Sequence, residues 1–417
     1  MDRDALAAHQ LTRLNALLAR ILPASEFYAR KLAGHAHPLQ SLDELRELPF
    51  TTKEDLVIDG APHAVPANLT WPVDRYVRYH QTSGTHGRPL PVFDTAEDWQ
   101  WWVDCWQYVL DAAEITAADR AMLAFSFGPF IGFWTAHDAL VAHGALVIPG
   151  GGMNSRARLD LIERTGATAL FCTPTYALHL VEIAEECKFN LARCSVEKIV
   201  VAGEPGGSIP AVRERIETAW HARLVDHAGA SEVGPWGYAD ANQRGVHILE
   251  SEFIAEFNSI ETGEPASQGE LSHLVLTSLG RAGLPVIRYR TGDLVRPFWP
   301  ESGANRFVRL EGGVLGRADD MMIIRGVNIF PTAVENIVRS FPEVVEYRMT
   351  AEKHGAMDAL LVEVEDRLEN PARIAEELYL RLGLRIDVRL VPPVSLPRFE
   401  GKGRRFIDNR REQESAP

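Results

Sequence analysis

The residues Thr82-Ser83-Gly84-Thr85-His86-Gly87-Arg88 combine types that bind anions. Gly84 and Gly87 let the backbone turn through positive φ and approach a bound group closely. Successive N–H groups in such a turn form a concavity that holds an anion. Thr82, Ser83 and Thr85 add hydroxyl donors and Arg88 adds positive charge, so a polyphosphate suits the stretch. The spacing is not that of the Walker loop, which has four residues between its glycines and then Lys-Ser/Thr. A Ser/Thr/Gly cluster is also ordinary loop composition, so the reading depends on what surrounds it.

Between 121 and 226 the chain has a regular rhythm. Apolar runs at 121–127, 145–149, 169–173, 198–202 and 222–226 alternate with helix-like stretches at 134–143, 156–165, 175–187 and 210–220. Alternation at this period predicts βαβ units and a parallel sheet covered by helices on both faces. Ligands of such sheets sit beyond the C-terminal strand ends. Three unusual loops fall there: 125–134, 202–207 and 227–234. Residues 250–316 alternate like an antiparallel, β-rich segment with strands at 251–257, 271–277 and 286–289. A boundary is expected near 317. Beyond it, helix 332–340, strands 344–350 and 359–365, helix 371–382 and strand 385–391 make a small α+β domain. The fold class is therefore α/β, with a large N-terminal region followed by a small C-terminal domain. An amphipathic helix at 5–22 and a tryptophan-rich one around Trp99, Trp101, Trp102 and Trp106 read as packing elements. Thr52 and Asp55 have the spacing of a capping box.

A chain of 417 residues exceeds one ordinary core, so two or three domains are expected. The net charge of −14 argues against nucleic acid as a main partner. Cys105, Cys172, Cys187 and Cys194 lack the Cys-x-x-Cys spacing of a zinc or redox site and fit a reducing compartment. No signal-like segment and no apolar window of membrane-spanning length is visible. A cytoplasmic protein with no membrane partner is expected.

Six stretches in order carry a resemblance: Thr82–Pro89, Ala202-Gly203-Glu204-Pro205, Gly229-Ala230-Ser231-Glu232, Tyr289-Arg290-Thr291-Gly292-Asp293, Gly316-Arg317-Ala318-Asp319-Asp320 and Glu400-Gly401-Lys402-Gly403. Together they resemble the acyl-adenylate-forming superfamily over nearly the whole chain. Leu48–Lys53 and Ile323–Pro331 make the chain similar to the phenylacetate–CoA ligases within it. The resemblance implies an AMP-binding domain at 1–316 and a mobile lid at 317–417. It implies a two-step reaction: a carboxylate attacks the α-phosphate of ATP to give acyl-AMP and pyrophosphate, and a thiol, usually that of coenzyme A, then displaces AMP. Transfer to a carrier-protein thiol or to an amine is the alternative, and a catalytically silent nucleotide-binding protein is a third. ATP, Mg²⁺ and coenzyme A are the implied cofactors, and a homodimer the implied assembly.

By the same resemblance, Thr82, Ser83, Gly84, Thr85, Gly87 and Arg88 hold the leaving phosphates. Glu232 holds Mg²⁺, a hard cation suited to carboxylate oxygen. Gly203, Glu204, Pro205, Ala230, Ser231, Asp293 and Arg317 line AMP, with Asp293 accepting from the ribose hydroxyls. Lys402 bridges the substrate carboxylate and the α-phosphate. Asp319 is the hinge, and Gly326 lies on the coenzyme A path. Phe127, Phe133, Trp134, Gly229 and Trp236 form the acid pocket, where aromatic walls favour a flat aromatic acid. Each residue also has a structural reading: Glu232 as a helix cap, Asp293 as a turn residue, Lys402 as part of a solvated basic face. Two departures stand out. His86-Gly87-Arg88 replaces a Thr-Gly-Lys pattern, and the family's aromatic residue before the glycine near Glu232 is absent from His227-Ala228-Gly229-Ala230.

Overall fold

The computed structural model describes residues 2–58, 65–82, 89–126, 128–239, 245–320, 322–324, 327–354, 357–398 and 405–410, and the structural statements below concern these. Its centre is a nine-stranded sheet. Five strands, Leu146–Pro149, Arg120–Leu123, Ala169–Cys172, Lys198–Ala202 and Arg223–Ala230, are parallel neighbours in that order. Alternate residues along them enter two separate cores. Ala121, Leu123, Phe171, Val200 and Val225 pack under helices Ala96–Ala112 and Gly132–His143. Met122, Leu170, Cys172, Ile199, Val201 and Leu224 pack under helices Ser155–Thr165, Pro174–Cys187 and Pro210–Trp220. Burial on both faces explains why these strands read as continuous apolar runs. Cys172 is an interior residue whose thiol is pushed up by burial.

The sheet does not stay parallel. Strands Gly234–Tyr238, Gly245–Ile248, Arg309–Glu311 and Pro297–Phe298 extend it in antiparallel fashion. A second, four-stranded antiparallel sheet holds Phe253–Ser259, Ser272–Ser278, Tyr289–Val295 and Gly316–Arg317. The strand expected at 286–289 begins only at Tyr289. Arg288 sits at φ +50°, outside the extended region, and its N–H goes to the Thr277 hydroxyl at 2.9 Å. Its guanidinium is paired with Glu256 at 2.7 Å and lies over Phe50 at 4.1 Å.

Helix Arg3–Ile21 is capped by the Asp2 carboxylate and buries Leu14, Leu17, Leu18 and Ile21 against Tyr28, Leu45, Ile254 and Ile287. Arg3 pairs with Glu250 and Arg13 with Glu252, while Gln10 donates to the carbonyls of Glu250 and Phe253. Thr95 and Asp98 form a capping box at the tryptophan helix, whose Trp99, Trp101, Trp102 and Trp106 are buried, as the packing reading expected. Thr52 and Asp55 also bond reciprocally.

From Met322 onward a third core forms under helices Pro331–Arg339 and Pro371–Leu382. Its sheet runs Asp387–Leu390, Met357–Asp366, Val344–His354 and Phe406–Asp408, the last a three-residue parallel edge strand beyond the elements expected from the sequence. This unit rests on the preceding one through polar contacts. Arg215 donates to the Val344 carbonyl at 3.3 Å, Arg367 lies 3.0 Å from Glu185, and Arg398 lies 3.7 Å from Glu182. Among the described residues no helix is long and apolar enough to cross a membrane.

Candidate active site

The parallel strands deliver three loops to one end of the central sheet, where the strand pattern predicted a ligand site. The loop after Arg120–Leu123 carries the aromatic stretch, the loop after Lys198–Ala202 carries Gly203 to Ser208, and Arg223–Ala230 turns back at Ser231 to Val233. A two-stranded hairpin, Arg78–Gln81 with Pro91–Asp94, stands beside them. Its Gln81 N–H donates to the Pro129 carbonyl at 2.7 Å, which ties the hairpin to the aromatic loop. Thr82 closes the hairpin. Its N–H donates to the Leu90 carbonyl at 3.0 Å, and its hydroxyl accepts from the Leu90 N–H at 2.9 Å. Ser83, Gly84, Thr85, Gly87 and Arg88, with His86, lie outside the described residues.

The 203–208 loop is shaped by close approach. Gly203 has φ +93° and Gly206 φ +152°. A Cβ on Gly207 would stand 2.5 Å from the Asp226 carboxyl, so only glycine fits above that side chain. Asp226 accepts from the Ser208 hydroxyl at 2.5 Å, and burial pushes its carboxyl up to about 6 against that hydrogen bond. Glu204, expected to line AMP, braces the neighbouring helix. It accepts from the Thr175 N–H at 2.9 Å and from the Thr175 hydroxyl, capping helix Pro174–Cys187. Burial pushes its carboxyl up, with Thr175 opposing. The helix-capping role weighed for Glu232 therefore belongs to Glu204, while Glu232 precedes a strand, Gly234–Tyr238.

Glu232 sits on the tight turn closed by the Val233 N–H on the Ala230 carbonyl at 3.0 Å. Among the described residues its hydrogen-bond partner is the Tyr289 hydroxyl at 3.4 Å. Burial, and then the Glu232 carboxylate, hold the Tyr289 hydroxyl well above the usual phenol range, so it stays a donor. Four positions along the same strand stands Asp293. Arg317, its register partner on Gly316–Arg317, bridges the Asp293 carboxylate at 2.9 Å and the Thr291 carbonyl at 2.7 Å. Gly292, at φ +78°, makes room: a Cβ there would lie 2.8 Å from the Arg317 guanidinium. Two motifs 57 residues apart thus meet through Tyr289, a residue quoted in the motif but given no role from sequence.

On the aromatic side, half-buried Trp134 donates its indole N–H to the Gly128 carbonyl at 3.0 Å, and Gly229 is exposed at the end of its strand. Trp236 is not brought to the same surface. It is 1% exposed inside the core shared with Trp106, on a strand buried continuously from Gly234 to Gly237. His227, 4.4 Å from Trp106, is pushed down to about 4 by burial and gives its Nδ1 to the Gly237 carbonyl contact at 2.7 Å. Phe127, Gly326 and Lys402 lie outside the described residues, as does the side chain of Phe133. Asp319 is exposed in the short 3₁₀ turn Ala318–Asp320. The chain on either side of 399–404 is clamped to the C-terminal sheet. Arg398 pairs with Glu365 at 2.7 Å, and Arg405 is bidentate on Glu346 at 2.6 and 2.8 Å. Glu365 also accepts the N–H groups of Val394 and Leu396.

Comparison with known proteins gives a consistent picture. Residues 33–251 match the model of the AMP-binding enzyme family, and residues 326–410 match that of the AMP-binding enzyme C-terminal domain. A phenylacetate-coenzyme A ligase of Escherichia coli (strain K12) is 34% identical over 426 residues, covering 98% of this chain and 95% of its own. Among solved structures, a 2-hydroxyisobutyryl-CoA ligase in the postadenylation state, in complex with R3-HIB-AMP, superposes with a TM-score of 0.92 at 26% identity, covering 100% of this chain and 92% of that one. The same ligase with 2-HIB-AMP and CoA in the thioesterification state gives 0.73 at 27% identity, covering 100% and 94%.

Proposed function

Because this chain belongs to the family of AMP-binding enzymes and is an AMP-forming acid–thiol ligase, we propose that it activates an aromatic carboxylic acid with ATP and passes the acyl group to coenzyme A. In the first half-reaction a carboxylate oxygen attacks the α-phosphorus and the bond to the β-phosphate oxygen breaks, releasing pyrophosphate. In the second, the thiol sulfur attacks the acyl carbon, the carbon–oxygen bond to AMP breaks, and the thiol proton is lost. The observation that carries this reading is the meeting of the Glu232 turn with the Tyr289–Asp293–Arg317 group, beside the hairpin that Thr82 closes. We assign 1–316 to nucleotide and acid binding and 317–417 to the lid.

The residues suit their proposed roles. Asp293, oriented by Arg317, is the acceptor for the ribose hydroxyls. Glu204 braces the adenine loop from behind, so the loop backbone rather than this carboxylate faces the base. The 82–88 stretch takes the β- and γ-phosphates. Mg²⁺ fits Glu232: magnesium is usually held by one or two carboxylates plus substrate phosphates, and the described residues contain no cluster of three His, Cys, Asp or Glu that would cage a metal alone. Bound there, it would neutralise phosphate charge. The closer match to the postadenylation form than to the thioesterification form, 0.92 against 0.73, supports reading the described lid position as the adenylation pose.

The test is a pyrophosphate-release screen over phenylacetate, benzoates and 2-hydroxyisobutyrate, with and without coenzyme A. Release driven by aromatic acids, with AMP release only when coenzyme A is added, is expected. Preference for the hydroxyisobutyrate would overturn the aromatic assignment, and acyl-AMP that never reacts with coenzyme A would favour a carrier-protein or amine acceptor. A pocket variant refines it. Trp134→Ala should change relative kcat/KM among aromatic acids by on the order of tenfold, with KM for ATP unchanged. Equal loss for every acid would make Trp134 a packing residue only.

A further inference from the structure

Behind the site lies a fully buried cation that neither half-reaction uses. The side chains of Arg281 and Asp94 are both 0% exposed. Arg281 Nε donates to Asp94 Oδ1 at 2.8 Å, and Nη2 stands 2.7 Å from the same oxygen. The third nitrogen, Nη1, donates to the Ser231 carbonyl at 2.8 Å. The guanidinium plane lies 5.2 Å over the Trp102 ring, whose indole N–H also donates to Asp94 Oδ1 at 3.2 Å. Asp94 ends the strand Pro91–Asp94 of the hairpin that carries the phosphate-binding stretch, paired across to Arg78. Ser231 immediately precedes Glu232. One rigid fork therefore holds both the hairpin and the Glu232 turn.

The surroundings fix the fork in place. The Gly283 N–H donates to Asp98 Oδ1 at 3.0 Å, and a Cβ on Gly283 would fall 2.2 Å from the other oxygen of that carboxylate. A Cβ on Gly280 would fall 2.2 Å from Trp101. Segment 280–283 is thus pressed onto the tryptophan helix with no slack for Arg281 to shift. His80, opposite on the hairpin, is stacked on Trp99 at 5.3 Å and is held neutral near pH 7, so it adds no competing charge. Stability alone does not call for this arrangement, since apolar residues of similar volume commonly replace a buried ion pair without loss. What an apolar pair cannot do is donate from one fixed plane in two directions, Nε to Asp94 and Nη1 to Ser231, and lysine, a point charge on a flexible stem, cannot do so either.

We propose that Arg281 is a positioning residue that sets the spacing between the phosphate-loop hairpin and the Glu232 turn, and thereby the fit of Mg·ATP across them. This rests on the ATP-site reading above. Two variants test it: Arg281→Lys, and the paired Arg281→Met/Asp94→Asn, which removes both charges so that none is left buried and unpaired. Mg·ATP titration by calorimetry, without any acid, is the primary measurement. Both variants are expected to fold, judged by thermal melting and near-ultraviolet circular dichroism, and to bind Mg·ATP about tenfold more weakly. In the pyrophosphate assay they should need correspondingly more ATP and Mg²⁺ while KM for the acid is unchanged. Thioester formation from synthetic acyl-AMP and coenzyme A should stay within about twofold. A folded paired variant with wild-type Mg·ATP affinity would overturn the proposal. So would equal losses in every parameter, the thioester step included, because a general packing role would produce that. Wild-type binding of Mg·ATP without turnover of any acid would sink the substrate assignment and leave the Arg281 comparison decisive. Absence of Mg·ATP binding by the wild-type chain would overturn both.

Discussion

Lys402→Ala is expected to lower acyl-AMP formation from acid and ATP by on the order of 10²–10³-fold, the usual cost of removing a charge-stabilising donor from a reacting centre. Thioester formation from supplied acyl-AMP and coenzyme A should fall no more than a few-fold. The asymmetry follows from the chemistry. Only the first step brings two anions together, and in the proposed role Lys402 offsets their repulsion and the charge that develops on the phosphoryl oxygens. The lysine also needs a firm base. Arg398 on Glu365 and Arg405 on Glu346 clamp the chain on either side of it to the C-terminal sheet. Asp319→Pro, in an exposed turn where proline fixes φ, should show the opposite bias and slow mainly the thioester step. Rapid-quench measurement of each half-reaction decides between these outcomes. If Lys402→Ala slows both steps equally, the lysine is structural and a two-pose lid does not operate in this enzyme.

Asp293→Ala should reduce kcat/KM for ATP by about 10- to 100-fold, with KM for the acid little changed. A hydrogen bond made to a charged group contributes roughly 1.5–3 kcal/mol, and each 1.36 kcal/mol is a factor of ten in rate. The effect has two parts. On the proposed role the variant loses the acceptor for the ribose hydroxyls, and it releases Arg317, which now bridges Asp293 and the Thr291 carbonyl. Asp293→Asn separates them, since the amide oxygen can still accept from Arg317 but carries no charge. An intermediate loss is expected for it. Unchanged ATP kinetics in the alanine variant would remove Asp293 from the nucleotide site.

What could be seen in the sequence was set by how local each signal is. The five parallel strands were legible because burial on both faces makes each an unbroken apolar run, and the helices between them were bounded by the same pattern. The antiparallel extension was not. Pro297–Phe298 and Arg309–Glu311 are too short to show a period of two. Arg288 hid the start of the next strand, because nothing in its residue type announces a positive φ. In the site, glycine-bearing motifs were readable since their spacing is itself the signal. Partnerships across the fold were not readable: Arg281 and Asp94 are 187 residues apart and Glu204 and Thr175 are 29 apart. The first pair joins the hairpin to the segment after strand Ser272–Ser278 and the second joins two βα units, and only the packed structure shows either meeting.

The packing of helix Arg3–Ile21 bears on how the protein is made. Its partners Glu250, Glu252 and Phe253 come some 240 residues later in the chain, as the separations of 247, 239 and 243 show. Tyr28, Leu32, Leu39, Leu45 and Leu48 follow the apolar stripe of Leu14, Leu17, Leu18 and Ile21 closely, but at translation rates of about 5–20 residues per second its later partners Ile254, Leu279 and Ile287 emerge on the order of ten to fifty seconds after it. The βα units of the central sheet can assemble locally during that interval, but the helix cannot join them. The nascent helix can therefore be covered early only on the side of its near neighbours, and its packing is completed when residues 250–287 are made.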